Sequence, residues 1–265
     1  MKAPVPFGQY VPGDSFVHRL EPRVKMGLVA AFMLMVFTVE GFAGLAVAAG
    51  LAAIAVAVSS VPPRIVVRGV RAVSIILAFT LIAHSLRWNP ATATLIRVGP
   101  IGVDAQGLIT GLFFVVRIVL LVIGTSLLTF TTSPVRLADG LERLMRPLEV
   151  VRFPAGEVAM MLTVALRFIP TTAEEAEKII VAQVARGARF DTGGLIKRAR
   201  AYVPVLVPLF VNLFRRADEL ATAMEARCYR GGEGRTRFTE SRMTATDWVA
   251  LALGGITMIS TGVVL

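Results

Sequence analysis

Apolar residues run almost without interruption from Met26 to Val61, and the one charge in that run is Glu40. As a single helix the run would be roughly 54 Å long, against a hydrocarbon core of about 30 Å. The pattern therefore predicts two membrane spans that turn near Glu40-Gly41. The second is rich in small residues four apart, Gly44 with Ala48 and Ala46 with Gly50, which would let helices approach closely in lipid. "VPPRIVVRGVR" (61–71) then breaks the run with two prolines and three arginines. A third span is predicted over about 72–88, a turn-rich connection follows to 106, and a fourth span covers 107–132. Ser133-Pro134 reads as the N-cap and first position of another helix.

From 133 to 246 the pattern becomes amphipathic. Leu137, Leu141, Leu144 and Leu148 form one stripe, and Ala173, Ala176, Ile180 and Val184 form a second. Phe210, Leu213, Phe214, Ala217, Leu220, Ala221 and Met224 form a third. Such spacing predicts helices with one apolar face. The apolar stretches near 158–166 and 201–214 are short, and Pro204 and Pro208 interrupt the latter, so core or interfacial helices fit them. A last apolar run, 247–265, predicts a fifth span.

Composition agrees with a membrane protein: 55% of the 265 residues are apolar, 17% are charged, and mean hydropathy is +0.70. The net charge of +10 raises nucleic acid as a partner, and its distribution answers otherwise. With the N-terminus, 62–71 and 133–246 on the cytoplasmic side, 25 of the 28 Lys and Arg residues lie inside. That is the positive-inside bias of a multi-pass membrane protein. The expected class is all-α, a polytopic helical bundle with a cytoplasmic amphipathic domain. Its segments are 1–25 cytoplasmic, 26–132 four spans, 133–246 the cytoplasmic helical domain, and 247–265 the C-terminal span.

Catalytic chemistry is hard to find. There is no phosphate-binding G-x-x-x-x-G-K-[ST] loop, and His18 and His84 stand far apart without a metal-ligand pattern. The single Cys228 excludes a disulfide framework. Glu174, Glu175 and Glu177 precede Lys178 and read as solvated helix charge. Neither a catalytic residue, a metal site nor a cofactor is expected. Arg117 lies within the fourth span, where an ionised group is costly. It reads as a structural arginine that snorkels or pairs inside the bundle, the alternative being a mechanistic charge.

Two segments, "ARGAR" at 185–189 and "ARCYR" at 226–230, repeat one arrangement: Ala, Arg, a small residue, any residue, Arg. Each ends an amphipathic stripe. Arginine suits a helix C-terminus because of the partial negative charge there. Small residues on both sides of it, Ala185 with Gly187 and Ala226 with Cys228, suit a helix end that enters a groove on another protein. The guanidinium would fork onto a carboxylate in that groove. Arg189 and Arg230 are secondary basic contacts.

On these motifs the chain resembles the transmembrane T component of energy-coupling factor (ECF) transporters. The resemblance extends to "GQYVPGDSFVHRLEPRVKMG", "ARGARFDTGG" and "RRADELATAMEARCYRGGEGRTR". It implies a non-catalytic coupling subunit for vitamin or micronutrient uptake, with Ala185, Arg186, Gly187, Ala226, Arg227 and Cys228 docking on two ABC-type ATPase subunits. It further implies a small substrate-binding membrane S component as partner, membrane lipid around the spans, and no nucleic acid. Cys228 departs from the Gly of the simple signature, and Glu21 stands where Asp would precede Pro-Arg. The N-terminal block is more similar to the shared, multi-substrate type than to the cobalt-dedicated type. The rivals are a conventional ABC permease lining its own path, which needs polar residues facing a common cavity, and a membrane-embedded enzyme.

Overall fold

The computed structural model describes residues 10–87, 96–98, 101–151, 153–229 and 243–264. In chain order its helices are α1 (Phe16–Arg19), α2 (Pro22–Thr38), α3 (Phe42–Ser59), α4 (Pro63–Ala72), α5 (Ser74–Ser85), α6 (Ala105–Thr131), α7 (Pro134–Met145), α8 (Ala155–Ala185), α9 (Leu195–Ala201), α10 (Val203–Ala226) and α11 (Ala245–Val264). A 3₁₀ turn, Arg146–Val151, follows α7. Three strands of two or three residues, β1 (Leu86–Arg87), β2 (Ile96–Val98) and β3 (Ile101–Val103), pair antiparallel in the order β1-β3-β2 before α6. They trim one connection, and the class is all-α as expected. The chain divides into two units, Met1–Gly140 with Thr239–Leu265, and Leu141–Phe238.

In the first unit, α2 and α6 run antiparallel, and three contacts fix their register. At one end Lys25 Nζ of α2 donates to the Thr131 carbonyl of α6 at 3.1 Å, and also to Thr132 Oγ1 and the His18 carbonyl. At the other end Arg117 Nη2 of α6 donates to the Val39 carbonyl, just past the end of α2. Midway, the Phe32 ring lies over Gly124, where a Cβ would stand 2.8 Å from Phe32 Cδ1. Each pair sits the same number of residues along from the last, so one register accounts for all three. Phe32, Met35, Val36, Val39, Leu45 and Leu120 fill the space between α2, α3 and α6.

The other helices take their directions from similar contacts. On α5, Leu81 and His84 meet Gly111 and Gly107 of α6, an antiparallel pairing. Phe42 meets Phe113, and Val61 packs with Phe130, so α3 runs parallel to α6. Leu28 lies over Gly254 and Met35 over Gly262, so α11 runs parallel to α2. Asp247 at the start of α11 takes the N–H of Glu21 (2.9 Å) and holds the two helix starts together. Its other oxygen accepts from the N–H and hydroxyl of Thr244. Direction therefore alternates from α2 to α3 to the α4–α5 pair to α6, and α11 points the same way as α2.

Length and composition qualify α3 and α6 as membrane crossings, and a third follows if α4 and α5, bent by 56°, count as one. The third predicted span differs in detail. Pro62 and Pro63 open a helix rather than interrupt one, Pro63 taking a first-turn position that needs no N–H. Arg64, Arg68 and Arg71 then share one face of α4, opposite the buried Val66 and opposite Gly69, which faces Ser126 of α6. Of the small pairs on α3, Gly44 and Ala48 are buried, whereas Ala46 and Gly50 are exposed. Large apolar residues such as Ile75 (81%) and Phe79 (71%) stand open on α5, a surface suited to lipid rather than water. His18, buried, bonds Ser15 Oγ and the Val11 carbonyl and so folds the N-terminal segment onto itself. The Val11 N–H in turn reaches the Phe130 carbonyl at 2.9 Å.

Gly124→Ala would push a methyl into the Phe32 ring, and overpacking of this kind costs about 1–3 kcal/mol. We expect a lower thermal midpoint for the purified protein in detergent, largely recovered by Phe32→Leu in the same chain. An equal loss in both backgrounds would show that this contact does not set the register.

Candidate functional site

The second unit is built on α8 and α10. Glu175 of α8 accepts from Asn212 Nδ2 at 2.6 Å and lies 3.4 Å from Arg216, both of α10. Arg216 also donates to Thr171 Oγ1, and Gln183 Nε2 reaches the Pro204 carbonyl at 3.5 Å. As the partner on α8 moves forward, the partner on α10 moves back by the same amount, so the helices are antiparallel. Glu175 was expected to be ordinary solvated charge. It is instead a half-buried tie between the two helices, which i,i+4 reasoning within one helix does not reveal.

Antiparallel packing sends the two Arg-bearing ends in opposite directions. The end of α8 lies beside the start of α10, near Pro204. From there α10 runs about 33 Å to Ala226, at 1.5 Å per residue. The repeated motif thus becomes two separate tips at opposite ends of one helical pair.

Each tip has the same backbone. Arg186 is the C-cap residue directly after α8, and Gly187 follows with φ +87°. The Gly187 N–H bonds the Val184 carbonyl and the Ala188 N–H bonds the Gln183 carbonyl, each at 2.9 Å. At the other tip Arg227 holds the equivalent place and Cys228 has φ +55°. The Cys228 N–H bonds the Glu225 carbonyl (2.9 Å) and the Tyr229 N–H bonds the Met224 carbonyl (3.0 Å). This paired 5→2 and 6→1 arrangement is the Schellman cap, which needs a left-handed residue just past the helix. Gly187 therefore has a backbone reason to be small as well as the groove reason. Sequence reasoning missed it, although glycine directly after an amphipathic stripe is its ordinary signal.

Ala185, Arg186, Gly187, Ala226, Arg227 and Cys228 are all exposed. Among the described residues, neither guanidinium of Arg186 and Arg227 makes a hydrogen bond or ion pair. Both stand at the negative end of their helix dipole with donors unspent. Arg189 is exposed three residues on; next to it Phe190 stacks on Tyr202 at 4.8 Å and turns the chain back toward α10. Arg230 lies outside the described residues. The stripes on α8 and α10 are only partly covered: Ala176, Ile180, Leu213 and Met224 are half-buried, whereas Val184, Phe210 and Phe214 are exposed. Arg117 belongs to the first unit, where it ties α6 to the end of α2 and stacks on Phe113 (4.6 Å) and Phe114 (5.5 Å).

Residues 13–238 match the family described as CbiQ, cobalt transport protein. The chain is also similar to curated proteins named energy-coupling factor transporter transmembrane protein EcfT. It is 50% identical to that of Thermanaerovibrio acidaminovorans, over 96% of this chain and 94% of the relative. It is 46% identical to that of Thermosediminibacter oceani, over 95% and 94%, and 45% identical to that of Clostridium kluyveri, over 93% and 91%.

A side chain at a left-handed position costs roughly 1–2 kcal/mol that glycine avoids. Cys228→Gly should therefore protect the last-turn amides of α10 from hydrogen exchange, and Gly187→Ala should expose those of α8. Unchanged exchange in both variants would mean that the caps are not held by this geometry.

Proposed function

The chain belongs to the CbiQ cobalt transport protein family, and from that premise we propose that it is the membrane-embedded coupling subunit of an energy-coupling factor transporter. In this reading α2, α3, the α4–α5 pair, α6 and α11 are five crossings, supported by their alternating directions. The ends that gather Lys25, the Arg64–Arg71 face and Asp247 lie on the cytoplasmic side of a prokaryotic cell membrane. Residues 133–246 stand in the cytoplasm.

One observation carries the mechanism: two identically capped, exposed helix ends, each tipped with an uncommitted arginine and pointing opposite ways. Two tips about 33 Å apart suit two separate partner subunits better than one pocket. Arg186 enters an acidic groove of one ABC-type ATPase and Arg227 that of the other. ATP hydrolysis resides in those subunits, and this chain carries force rather than chemistry. When the ATPases close, they move the tips, and α8 and α10, tied through Glu175, Asn212 and Arg216, transmit the motion as a pair. The open apolar faces of α8 and α10, with Val184, Phe210 and Phe214, would receive the small substrate-binding membrane subunit. A conventional permease needs a polar path of its own. The cavity between α2, α3 and α6, about 160 Å³, is walled mostly by apolar side chains such as Leu28, Phe32, Leu51 and Ile123, with Lys25 and Thr131 as its polar members, which lends little support to a polar path.

Truncating one member of a desolvated charge pair typically costs about 2–5 kcal/mol, or roughly 30- to several-thousand-fold in affinity. Arg186→Glu and Arg227→Glu should each weaken capture of the ATPases and uncouple hydrolysis from uptake, with membrane insertion unchanged. Lysine at either position should restore only part, since it lacks the two-pronged donor geometry. The checks are pull-down from detergent-solubilised membranes and ATP-driven uptake into vesicles. Wild-type assembly and uptake by the double Glu variant would refute the docking role.

A further inference from the structure

The guanidinium of Arg117 does more than close the α2–α6 register. Nη2 is spent on the Val39 carbonyl, and Nε is buried without a hydrogen bond. Among the described residues Nη1 makes no hydrogen bond, so it remains available. Arg117 lines an open pocket of about 370 Å³ that it shares with Glu40, Thr110, Phe42, Phe113 and Ile109. Glu40 is exposed and, among the described residues, makes no ion pair with Arg117 or any other group. Among the described residues the pocket therefore offers a cation donor and a carboxylate that are not paired with each other.

Its walls are aromatic. His84 stacks on Phe114 at 4.8 Å, Phe114 meets Phe113 edge-on, and Phe113 meets Phe42 edge-on. Beyond the rim, Phe42, Ile109 and Leu112 stand roughly half exposed. A ligand that satisfies every part of this surface carries an anion for Arg117, a small hydrogen-bonding cation for Glu40, and an apolar tail for the rim.

The depth of the pocket names the source of such a ligand. Lys25 to Val39 along α2, and Thr131 to Arg117 along α6, both measure about 21 Å. A hydrocarbon core is about 30 Å thick. With Lys25 at the cytoplasmic surface, the Arg117–Glu40 layer lies about 9 Å inside the opposite one, shallow enough for a lipid headgroup to dip inward. Arginine and glutamate at that depth need polar company, and the surrounding solvent is phospholipid.

We infer that this pocket binds the headgroup of a zwitterionic phospholipid bearing a primary ammonium. The phosphate accepts from Arg117, the ammonium donates to Glu40, and one acyl chain lies across Phe42 and Ile109. A phosphocholine headgroup has no N–H to give Glu40, and a phosphoglycerol headgroup sets its negative charge beside that carboxylate with no cation between. The inference rests on the membrane placement of the first unit and is independent of ATPase docking, so either can fail alone.

The test is native mass spectrometry of the full chain in a delipidating detergent, titrated with dioleoyl phosphatidylethanolamine, phosphatidylcholine or phosphatidylglycerol. Wild type should hold phosphatidylethanolamine about tenfold or more tightly than the other two, the worth of one charged hydrogen bond. Glu40→Gln, at an exposed turn where folding is not at stake, should abolish that preference. Arg117→Lys should keep the preference at reduced affinity, and Arg117→Leu should lose it. Equal binding of the three lipids to wild type, or an unchanged preference in Glu40→Gln, would overturn the inference. So would displacement of the lipid by an equal concentration of soluble glycerophosphoethanolamine, since the tail would then contribute nothing. Complete loss of the lipid on adding the substrate-binding subunit would reassign the pocket to a protein contact.

Discussion

Two basic side chains exchanged between antiparallel helices set the frame of the membrane unit. Lys25 leaves α2 to cap the end of α6, and Arg117 leaves α6 to cap the end of α2. A helix C-terminus presents carbonyls without partners, and a cation answers both the hydrogen-bonding and the dipolar demand. Lys25 spends its further donors on the His18 carbonyl and Thr132 Oγ1, which hold it at the same helix end. With Phe32 seated on Gly124 between them, slipping the pair by one turn would break three contacts together. The remaining helices then build on this fixed pair: α3 and the α4–α5 run against α6, and α11 against α2.

The second unit is held by another principle. Its two long helices are tied by polar contacts among Glu175, Asn212, Arg216 and Thr171, while much of their apolar surface remains open. A pair joined by a few directed bonds keeps its mutual register when pushed, and open faces leave room for other chains. The membrane unit, by contrast, spends its apolar surface on helix contacts and on lipid.

The caps at Arg186 and Arg227 join stability to the proposed docking. The Schellman geometry ends each helix abruptly, so the exposed arginine stands at the C-cap of the last helical turn. Glycine at 187 meets the left-handed backbone without strain. Cys228 meets the same backbone with a Cβ, and its departure from glycine is a local cost rather than a change of design.

Much of this was legible in the sequence because it depends on spacing and composition. The turn at Glu40-Gly41 follows from a run too long for one span, and α2 and α3 flank it as expected. The amphipathic stripes ended where α8 and α10 end, since apolar periodicity and a terminal Arg-small pair are both local signals. The all-α class followed from the same local patterns, and the T-component family from the resemblance of the quoted motifs. Other features needed the tertiary structure. Sequence could flag Arg117 as costly, but its hydrogen-bond partner, Val39, lies 78 residues away along the chain, and Glu40 enters its pocket only because α2 ends there. Glu175 looked solvated until α10 brought Asn212 and Arg216 alongside. The opposed directions of the two arginine tips come from antiparallel packing, which no single-helix pattern encodes. Spacing along one helix fixes which residues share a face; only the packing of helices fixes what that face meets.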